Sequence, residues 1–303
     1  MILPYTYVIE TVLGCNIHCV ECAVGAKMIQ RKHGFMQYEN FKIITDKIRS
    51  YCKYLYLHNW GDPLLNNEII KMIQYAATFT KTNISTNANM IDDALARQLI
   101  DSGVTDIIVS IDGATQDTYE YYRRGGNLER ALFGLSTLNS YAKKRNSSLL
   151  RKIKHKFSPE FFLEPVNIVP QFCVFEHNYH EMDEFAAICK KLDLTPSFKA
   201  PYIRKNSFLA PSSDHRYVRA IADADAARIE AMRGCNAAFS DMYILLSGDV
   251  VACCYDHDGQ ICFGNIFQQS VEDIWSSELY QKFRSGLISG VGHPFCLNNC
   301  LCY

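Results

Sequence analysis

Short β-rich runs alternate with amphipathic helical patterns over the first two-thirds of this 303-residue chain, and this alternation limits the fold more than any other feature. Segments such as 41–52 and 127–144 repeat apolar residues at helical spacing between the runs. Six strand–helix units predict a parallel sheet with right-handed crossovers. About 200 residues are too few for an eight-unit barrel, so we expect an α/β fold with a partial (β/α)6 TIM-like barrel. The six predicted strands are 5–10, 54–60, 81–87, 106–112, 168–175 and 194–200.

The composition is that of a globular protein with no nucleic-acid or membrane partner. Apolar residues make up 48% of the chain, charged residues 21%, and the net charge is −1. A nearly neutral chain has no general attraction for polyanions. The N-terminus lacks the basic start of a signal peptide, and no apolar run reaches membrane-spanning length. We therefore expect a cytosolic protein.

Four unusual segments follow the first four predicted strands. They are GCNIHCVECAVG, NWGDPLLN, STNAN and SIDGA, in chain order. The carboxyl ends of parallel strands gather at one edge of a sheet, and functional groups collect there. The sequence therefore predicts that all four segments border one site.

Thirteen cysteines are concentrated at the two ends of the chain, with three at 15–22 and seven after residue 234. Disulfides rarely persist in the cytosol, so these cysteines indicate metal binding or catalysis. Cys15, Cys19 and Cys22 have the spacing C-x3-C-x2-C. Structural zinc usually takes four closely grouped ligands, whereas three thiolates leave a metal site open.

Together with the strand that precedes it, this triplet resembles the signature of the radical S-adenosylmethionine (SAM) enzymes. The resemblance implies that the three cysteines hold a [4Fe–4S] cluster whose free iron binds SAM. It also implies an electron donor such as flavodoxin or ferredoxin, and a 5′-deoxyadenosyl radical that abstracts hydrogen from the substrate.

The other three segments resemble the loops that bind SAM in the same family. The segment WGDPLL is similar to the family's GGEP loop, with aspartate in place of glutamate, and STNA has alanine in place of the final glycine of STNG. Either arginine of the pair at 123–124 is implied to meet the SAM carboxylate, the alternative being a solvated charge at a helix end. The residues implied to contact SAM are Trp60, Gly61, Asp62, Pro63, Ser85, Asn87, Ser110, Asp112, Arg123 and Arg124.

The cysteine-rich tail resembles the SPASM extension of radical SAM enzymes, because Cys235, Gly248 and Cys253 fit C-x(9–15)-G-x4-C. The usual C-x2-C-x5-C-x3-C ending is missing, which implies a shortened, twitch-type tail with one auxiliary [4Fe–4S] cluster. A zinc site is the alternative for the same cysteines. The implied ligands are Cys235, Cys253, Cys296 and Cys300, with Cys302 as a rival for the last position.

These features predict three parts: a radical SAM barrel over 1–200, a linker over 201–234 and an auxiliary-cluster domain over 235–303, which contains a β-hairpin. Cys254 is a candidate hydrogen donor, and Glu176 is a candidate base or substrate contact. Since the first strand starts at residue 5, no N-terminal module is expected to hold a leader peptide. This favours dehydrogenation or epimerisation of a small polar substrate, such as a sugar, aminocyclitol or aminoglycoside unit. The alternatives are a maturase of ribosomal peptides or protein side chains, and a cysteine-rich zinc-binding interaction protein.

Overall fold

The structure, a computed structural model, describes residues 2–148, 164–201, 203, 207–217 and 232–299. About half of the predicted linker over 201–234 lies outside these residues, and so do Cys300 and Cys302. The described strands are β1 Thr6–Ile9, β2 Val12–Leu13, β3 His18–Cys19, β4 Gly34–Phe35, β5 Tyr54–Tyr56, β6 Lys81–Thr86, β7 Asp106–Ser110, β8 Arg123–Arg124, β9 Asn167–Cys173, β10 Ser197–Lys199, β11 Asp241–Ile244, β12 Asp249–Val251 and β13 Cys262–Asn265.

Helices alternate with the main strands, as the apolar spacing predicts. Four of the ten described α-helices begin at a side chain that caps them; Asp92, for example, accepts a hydrogen bond from the Leu95 N–H at the start of α3. The described α-helices are α1 Tyr38–Ile48, α2 Ile69–Ala76, α3 Asp93–Asp101, α4 Gln116–Tyr122, α5 Leu128–Ser147, α6 Met182–Lys191, α7 Asn236–Phe239, α8 Val271–Trp275, α9 Glu278–Ser289 and α10 Pro294–Asn299. Among the described helices, none combines the length and the apolar character needed to cross a bilayer.

One nine-stranded sheet organises the molecule, in the order β10-β9-β7-β6-β5-β1-β11-β12-β13. The seven strands from β10 to β11 are parallel to their neighbours. All six strands predicted from the sequence are present as β1, β5, β6, β7, β9 and β10. The α/β fold with a large parallel sheet is therefore confirmed.

The two faces of this sheet differ sharply in polarity. On β5, Leu55 and the following Leu57 are fully buried in the core formed with the helices, whereas Tyr54, Tyr56 and His58 point to the opposite face and are half-buried. The same alternation recurs on β7 and β11. Each fully buried aliphatic or aromatic side chain contributes roughly 1.5–3 kcal/mol, so the apolar face holds the fold together. The polar face of the sheet carries the side chains that are available for a functional site.

The polar face is concave. In a flat sheet, β10 and β5 would lie about 19 Å apart, because three strands separate them. Burial is the main cause that lowers the pKa of His58 at the end of β5, and the charge of Lys199 on β10 adds to it. This influence indicates that the sheet curves toward its polar face, and the partial barrel itself stays a prediction.

The tail does not form a separate sheet. The predicted hairpin is present as β11 and β12, and Gly248 has a φ of +83° in its turn. β11 pairs in parallel with β1 over the whole length of both strands. The proposed domain limits remain a prediction, but the sheet runs continuously from the first strand into the tail.

Candidate active site

The three N-terminal cysteines lie together on the loop after β2. Cys19 is buried, whereas Cys15 and Cys22 are half-buried. Burial, with smaller contributions from Asp62 and Cys22, raises the pKa of Cys15 to about 11. Burial, Cys22 and Cys15 likewise raise the pKa of Cys19. Thiols that raise one another's pKa lie close together. They fit an iron–sulfur cluster, which is held by several neighbouring cysteine thiolates.

The backbone of this loop is fixed by close packing. β3 pairs with β8, and the Val20 N–H donates to the Tyr122 carbonyl at 3.0 Å. A Cβ at Gly25 would lie 2.4 Å from the Cys19 carbonyl oxygen, which is too close for any side chain. Gly25 therefore allows the close packing of the cysteine loop. The sequence gave little indication of this role, because it showed only a glycine shortly after the third cysteine.

The loop after β5 lies directly against the cysteine loop. Gly61 and Gly14 form an isolated parallel bridge, and the Asp62 N–H donates to the Gly14 carbonyl at 3.0 Å. Gly61 has a φ of +146°, and a Cβ there would lie 2.5 Å from that same oxygen. Trp60 packs against the same small apolar cluster as Cys15 and Cys22. The segment predicted to bind SAM thus borders the predicted cluster.

Asp62 joins this loop to the next one. Its carboxylate is buried and accepts hydrogen bonds from the Thr86 hydroxyl and the Asn87 N–H, both at 2.9 Å, and from the Leu64 N–H at 3.1 Å, just after Pro63. Burial raises its pKa, and these bonds oppose the rise. The aspartate that replaces the family's glutamate therefore fastens two of the predicted SAM loops together.

Asn87 connects the loop after β6 to the cysteine loop. Its side-chain amide donates to Asn16 Oδ1 at 2.8 Å and lies 3.7 Å from Cys15 Sγ. Ser85, two residues earlier on β6, is half-buried on the polar face. Ser110, at the end of β7, is buried and accepts a hydrogen bond from Gln171 at 3.4 Å.

Asp112 and Arg123 form a buried ion pair. Arg123 Nη2 lies 2.7 Å from Asp112 Oδ2, and its Nη1 lies 3.7 Å from Cys19 Sγ. The other Asp112 oxygen accepts a hydrogen bond from the Cys173 N–H at 2.6 Å. Arg124 is exposed, with its guanidinium 5.4 Å from the centre of the Phe208 ring. SAM contacts for these residues stay predictions; in this structure Arg123 supports the cysteine loop.

A polar cavity of about 410 Å³ opens on the concave face of the sheet. It lies against β1, β5 and β11, and Cys254 from the tail reaches it. The lining residues are Tyr5, Thr6, Val8, Tyr56, His58, Asn59, Asn236, Ser240, Asp241, Tyr243 and Cys254.

A second cavity of about 330 Å³ lies in the tail, and four cysteines line it: Cys235, Cys253, Cys254 and Cys296. Three of these are predicted auxiliary ligands, and the candidates for the fourth, Cys300 and Cys302, lie outside the described residues. Exposed Cys262 is not among its lining residues. No three His, Cys, Asp or Glu side chains among the described residues are placed to hold a single metal ion.

The two cavities share one wall, formed by Asn236, Asp241, Tyr243 and Cys254. Glu176, the other candidate catalytic residue, lies elsewhere. It is exposed, and its carboxylate accepts a hydrogen bond from the Ser213 N–H at 2.6 Å. Glu176 lines neither cavity. Its catalytic role stays a prediction, whereas the structure brings Cys254 to the place where both cavities meet.

His58 is a candidate functional residue that the sequence did not reveal. Its Nδ1 is buried and has no hydrogen-bond partner among the described residues. Burial lowers the pKa of His58 to about 4. The imidazole is therefore neutral at pH 7 and presents an acceptor within a polar cavity. The only sequence signal was a histidine at the end of a predicted strand.

The low pKa of His58 predicts a pH-dependent stability. Between pH 6.5 and pH 4 the unfolded chain binds a proton at this residue and the folded chain does not, so the free energy of unfolding falls as the pH falls. The full loss is on the order of 3 kcal/mol. Urea unfolding of the apoprotein at pH 7 and pH 5 measures the slope. His58→Phe should unfold with a shallower pH dependence, and an unchanged slope would contradict the assignment.

Comparisons with known families agree with this geometry. The sequence model of the radical SAM superfamily matches residues 9–151, and that of the SPASM iron–sulfur cluster-binding domain matches residues 235–301. The chain is 26% identical over 307 residues to the AdoMet-dependent heme synthase of Methanosarcina barkeri (strain Fusaro / DSM 804). That alignment covers 91% of this chain and 83% of the synthase.

Two groups of solved structures have a similar fold. The structure of BtrN in complex with AdoMet and 2-DOIA has a TM-score of 0.55 at 15% identity, covering 95% of this chain and 89% of BtrN. Streptococcus suis SuiB bound to its precursor peptide SuiA has a TM-score of 0.67 at 14% identity, covering 100% of this chain and 76% of SuiB. At such identities the similarity concerns the fold alone.

Proposed function

Because the chain belongs to the radical SAM superfamily and carries a C-terminal SPASM domain, we propose that it abstracts hydrogen from a small polar substrate to complete a dehydrogenation or an epimerisation. It is a radical SAM enzyme, and its cofactors are SAM, the [4Fe–4S] cluster that binds SAM, and auxiliary iron–sulfur. When bound, the SAM-ligated cluster supplies a 5′-deoxyadenosyl radical. A protein such as flavodoxin or ferredoxin would deliver the electron.

The cysteines divide into two sets for these cofactors. Cys15, Cys19 and Cys22 would hold the SAM-binding cluster. Cys235, Cys253 and Cys296, with Cys300 or Cys302, would hold one auxiliary cluster. The polar loops that follow β5, β6 and β7 would surround SAM beside the first set. Their mutual hydrogen bonds through Asp62 support this arrangement, because they fix the three loops relative to the cysteine loop.

The observation that carries the proposal is the wall shared by the two cavities. The polar cavity has about 410 Å³, near the small end of the range of roughly 300–1,000 Å³ that small ligands occupy. Such a space suits one sugar or cyclitol ring. Cys254 lines both this cavity and the cysteine-lined one. A substrate there would lie beside a thiol hydrogen donor, and next to the site where auxiliary iron–sulfur would accept an electron.

Either reaction would use groups already on the cavity wall. For epimerisation, the Cys254 thiol would return a hydrogen atom to the opposite face of the substrate carbon. The thiyl radical left on sulfur would then take one electron, delivered by the external electron donor through the adjacent auxiliary iron–sulfur, and one proton from solvent. For dehydrogenation, a neighbouring base would remove the hydroxyl proton, and His58 Nδ1 is the neutral acceptor in the cavity. The similarity to BtrN, whose structure contains AdoMet and 2-DOIA, supports a small-molecule substrate.

A peptide maturase is the second candidate. The similarity to SuiB bound to a precursor peptide extends over the whole of this chain. In that case the cavity would receive one residue of the peptide, and the remainder would lie outside it.

Solvent deuterium distinguishes these possibilities. Reconstituted enzyme, reduced and supplied with SAM, is incubated in D2O with a panel of sugars, aminocyclitols and short peptides. A thiol exchanges its hydrogen with D2O, so epimerisation by Cys254 predicts deuterium at the reacting carbon, lost in Cys254→Ala. Dehydrogenation predicts a product oxidised by two electrons without solvent deuterium at that carbon. The exposed Cys262→Ala is the matched control and should behave as the wild type. Modification of peptides alone would overturn the small-molecule proposal.

A further inference from the structure

The wall of the polar cavity has an unusual charge composition. Among the described residues that line it, Asp241 is the one carboxylate, and no lysine or arginine is present. Lys199 acts on His58 from β10 but is not a lining residue. A substrate rich in carboxylate or phosphate would find no direct cationic partner on this wall. The wall therefore favours a neutral or cationic ligand.

Asp241 is held in place at the start of β11. It lies opposite Thr6 of β1, and its Oδ1 accepts a hydrogen bond from the Ser240 hydroxyl at 2.8 Å. No ion pair to its carboxylate occurs among the described residues. Burial raises the pKa of Asp241, and hydrogen bonds from Ser240 and Thr6 oppose the rise, with no cationic partner beside them in the described part of the chain. An ammonium group in the cavity would supply the missing compensation.

His58 supplies a different kind of contact on the other side. Its Nδ1 lacks a partner among the described residues, so it can accept a hydrogen bond from a hydroxyl or an amide N–H. The Tyr56 ring lies edge-on to the imidazole, with centroids 5.7 Å apart, and limits its rotation. The cavity thus combines one anionic group with one neutral acceptor.

We propose that this cavity binds an amino polyol, with a protonated amine of the ligand against Asp241 and a hydroxyl of the ligand donating to His58 Nδ1. The inference rests on the proposed function, and it specifies the substrate class within it. Asp241 discriminates by charge, because an ammonium group gains an ion pair with its carboxylate that a neutral hydroxyl cannot form. His58 discriminates less, since any hydroxyl-bearing ring of suitable size can donate to it.

Binding measurements with three ring compounds of similar size test this assignment. The probes are 2-deoxystreptamine, which is cationic, myo-inositol, which is neutral, and glucuronate, which is anionic. Isothermal titration calorimetry is done anaerobically on the reconstituted enzyme with SAM. We expect 2-deoxystreptamine to bind most tightly and glucuronate most weakly. Asp241→Asn should weaken 2-deoxystreptamine about 10-fold or more and leave myo-inositol unchanged.

The remaining variants test the acceptor role of His58, the specificity of the charge effect at Asp241, and the folding of each variant. His58→Phe should weaken both 2-deoxystreptamine and myo-inositol by similar factors, because it removes an acceptor that both rings use. Asp101→Asn removes the same charge from the exposed surface of α3 and should change neither affinity. Circular dichroism and the urea midpoint confirm that each variant is folded.

Three outcomes would overturn the inference: unchanged binding of 2-deoxystreptamine to Asp241→Asn, tightest binding of glucuronate, or no binding of any probe. A different result would contradict the proposed function. If the probes bind in the predicted order but no sugar or cyclitol is converted, the amine site stands and the proposed reaction is wrong.

Discussion

Cys19→Ala should form no detectable 5′-deoxyadenosine while it keeps its auxiliary iron. Cys19 is the buried member of the N-terminal triplet, and its backbone is fixed by pairing with Arg123 and by contact with Gly25. Because the backbone is fixed here, no neighbouring residue can move into the position of Cys19 as a ligand. Loss of an outer partner of a metal ligand costs about 10–100-fold, so loss of the ligand itself should exceed about 100-fold. Iron content should fall by about four atoms per chain, the content of one [4Fe–4S] cluster.

Two cysteine variants control this experiment. Cys253→Ala lies in the tail cavity and should show the converse result, with loss of auxiliary iron and continued cleavage of SAM. Exposed Cys262→Ala should retain both sets of iron and full activity. Iron and sulfide are measured after anaerobic reconstitution, and 5′-deoxyadenosine is measured by chromatography. Wild-type rates of 5′-deoxyadenosine formation in Cys19→Ala would remove this cysteine from the cluster.

The sheet was predictable because its pattern is local. The strands and helices follow from apolar spacing, and the rule that parallel strands end at one edge brings the four unusual segments together. Gly61, for example, was singled out within its motif, and the structure places it on the backbone of the cysteine loop. The prediction of a partial barrel rests on the same evidence, since six strand–helix units are too few for a complete one.

Contacts between distant segments were not predictable in the same way. β11 pairs with β1 across more than two hundred residues, and no local pattern specifies that partner. His58 was overlooked because a histidine at a strand end has no motif, and its meaning depends on the cavity around it. Asp62 was recognised by its motif, but its bonds to Thr86 and Asn87 needed the fold. Side chains that act through tertiary contacts leave little trace in the sequence.

Arg123 illustrates this difference, and its replacement is the second change for which we expect a large effect. The sequence offered two neighbouring arginines as equivalent candidates for the SAM carboxylate. The structure separates them, because Arg123 is buried against Asp112 and Cys19 whereas Arg124 is exposed. Removal of one partner of a buried ion pair leaves an uncompensated charge in the interior, which costs about 3–5 kcal/mol. Arg123→Met should therefore destabilise the folded chain by about this amount, whereas Arg124→Met should stay within about 0.5 kcal/mol of the wild type.

A double-mutant cycle shows whether the loss comes from the ion pair. Asp112→Asn keeps an oxygen that can accept from the Cys173 N–H but removes the buried negative charge. Combined with Arg123→Met, it should restore much of the lost stability, because neither charge is then left alone. Urea unfolding of the apoproteins gives the four free energies, and iron content after reconstitution reports on the cysteine loop beside Arg123. Strictly additive losses in the double variant would show that the two side chains are not coupled, and that Arg123 supports the loop by packing instead of by charge.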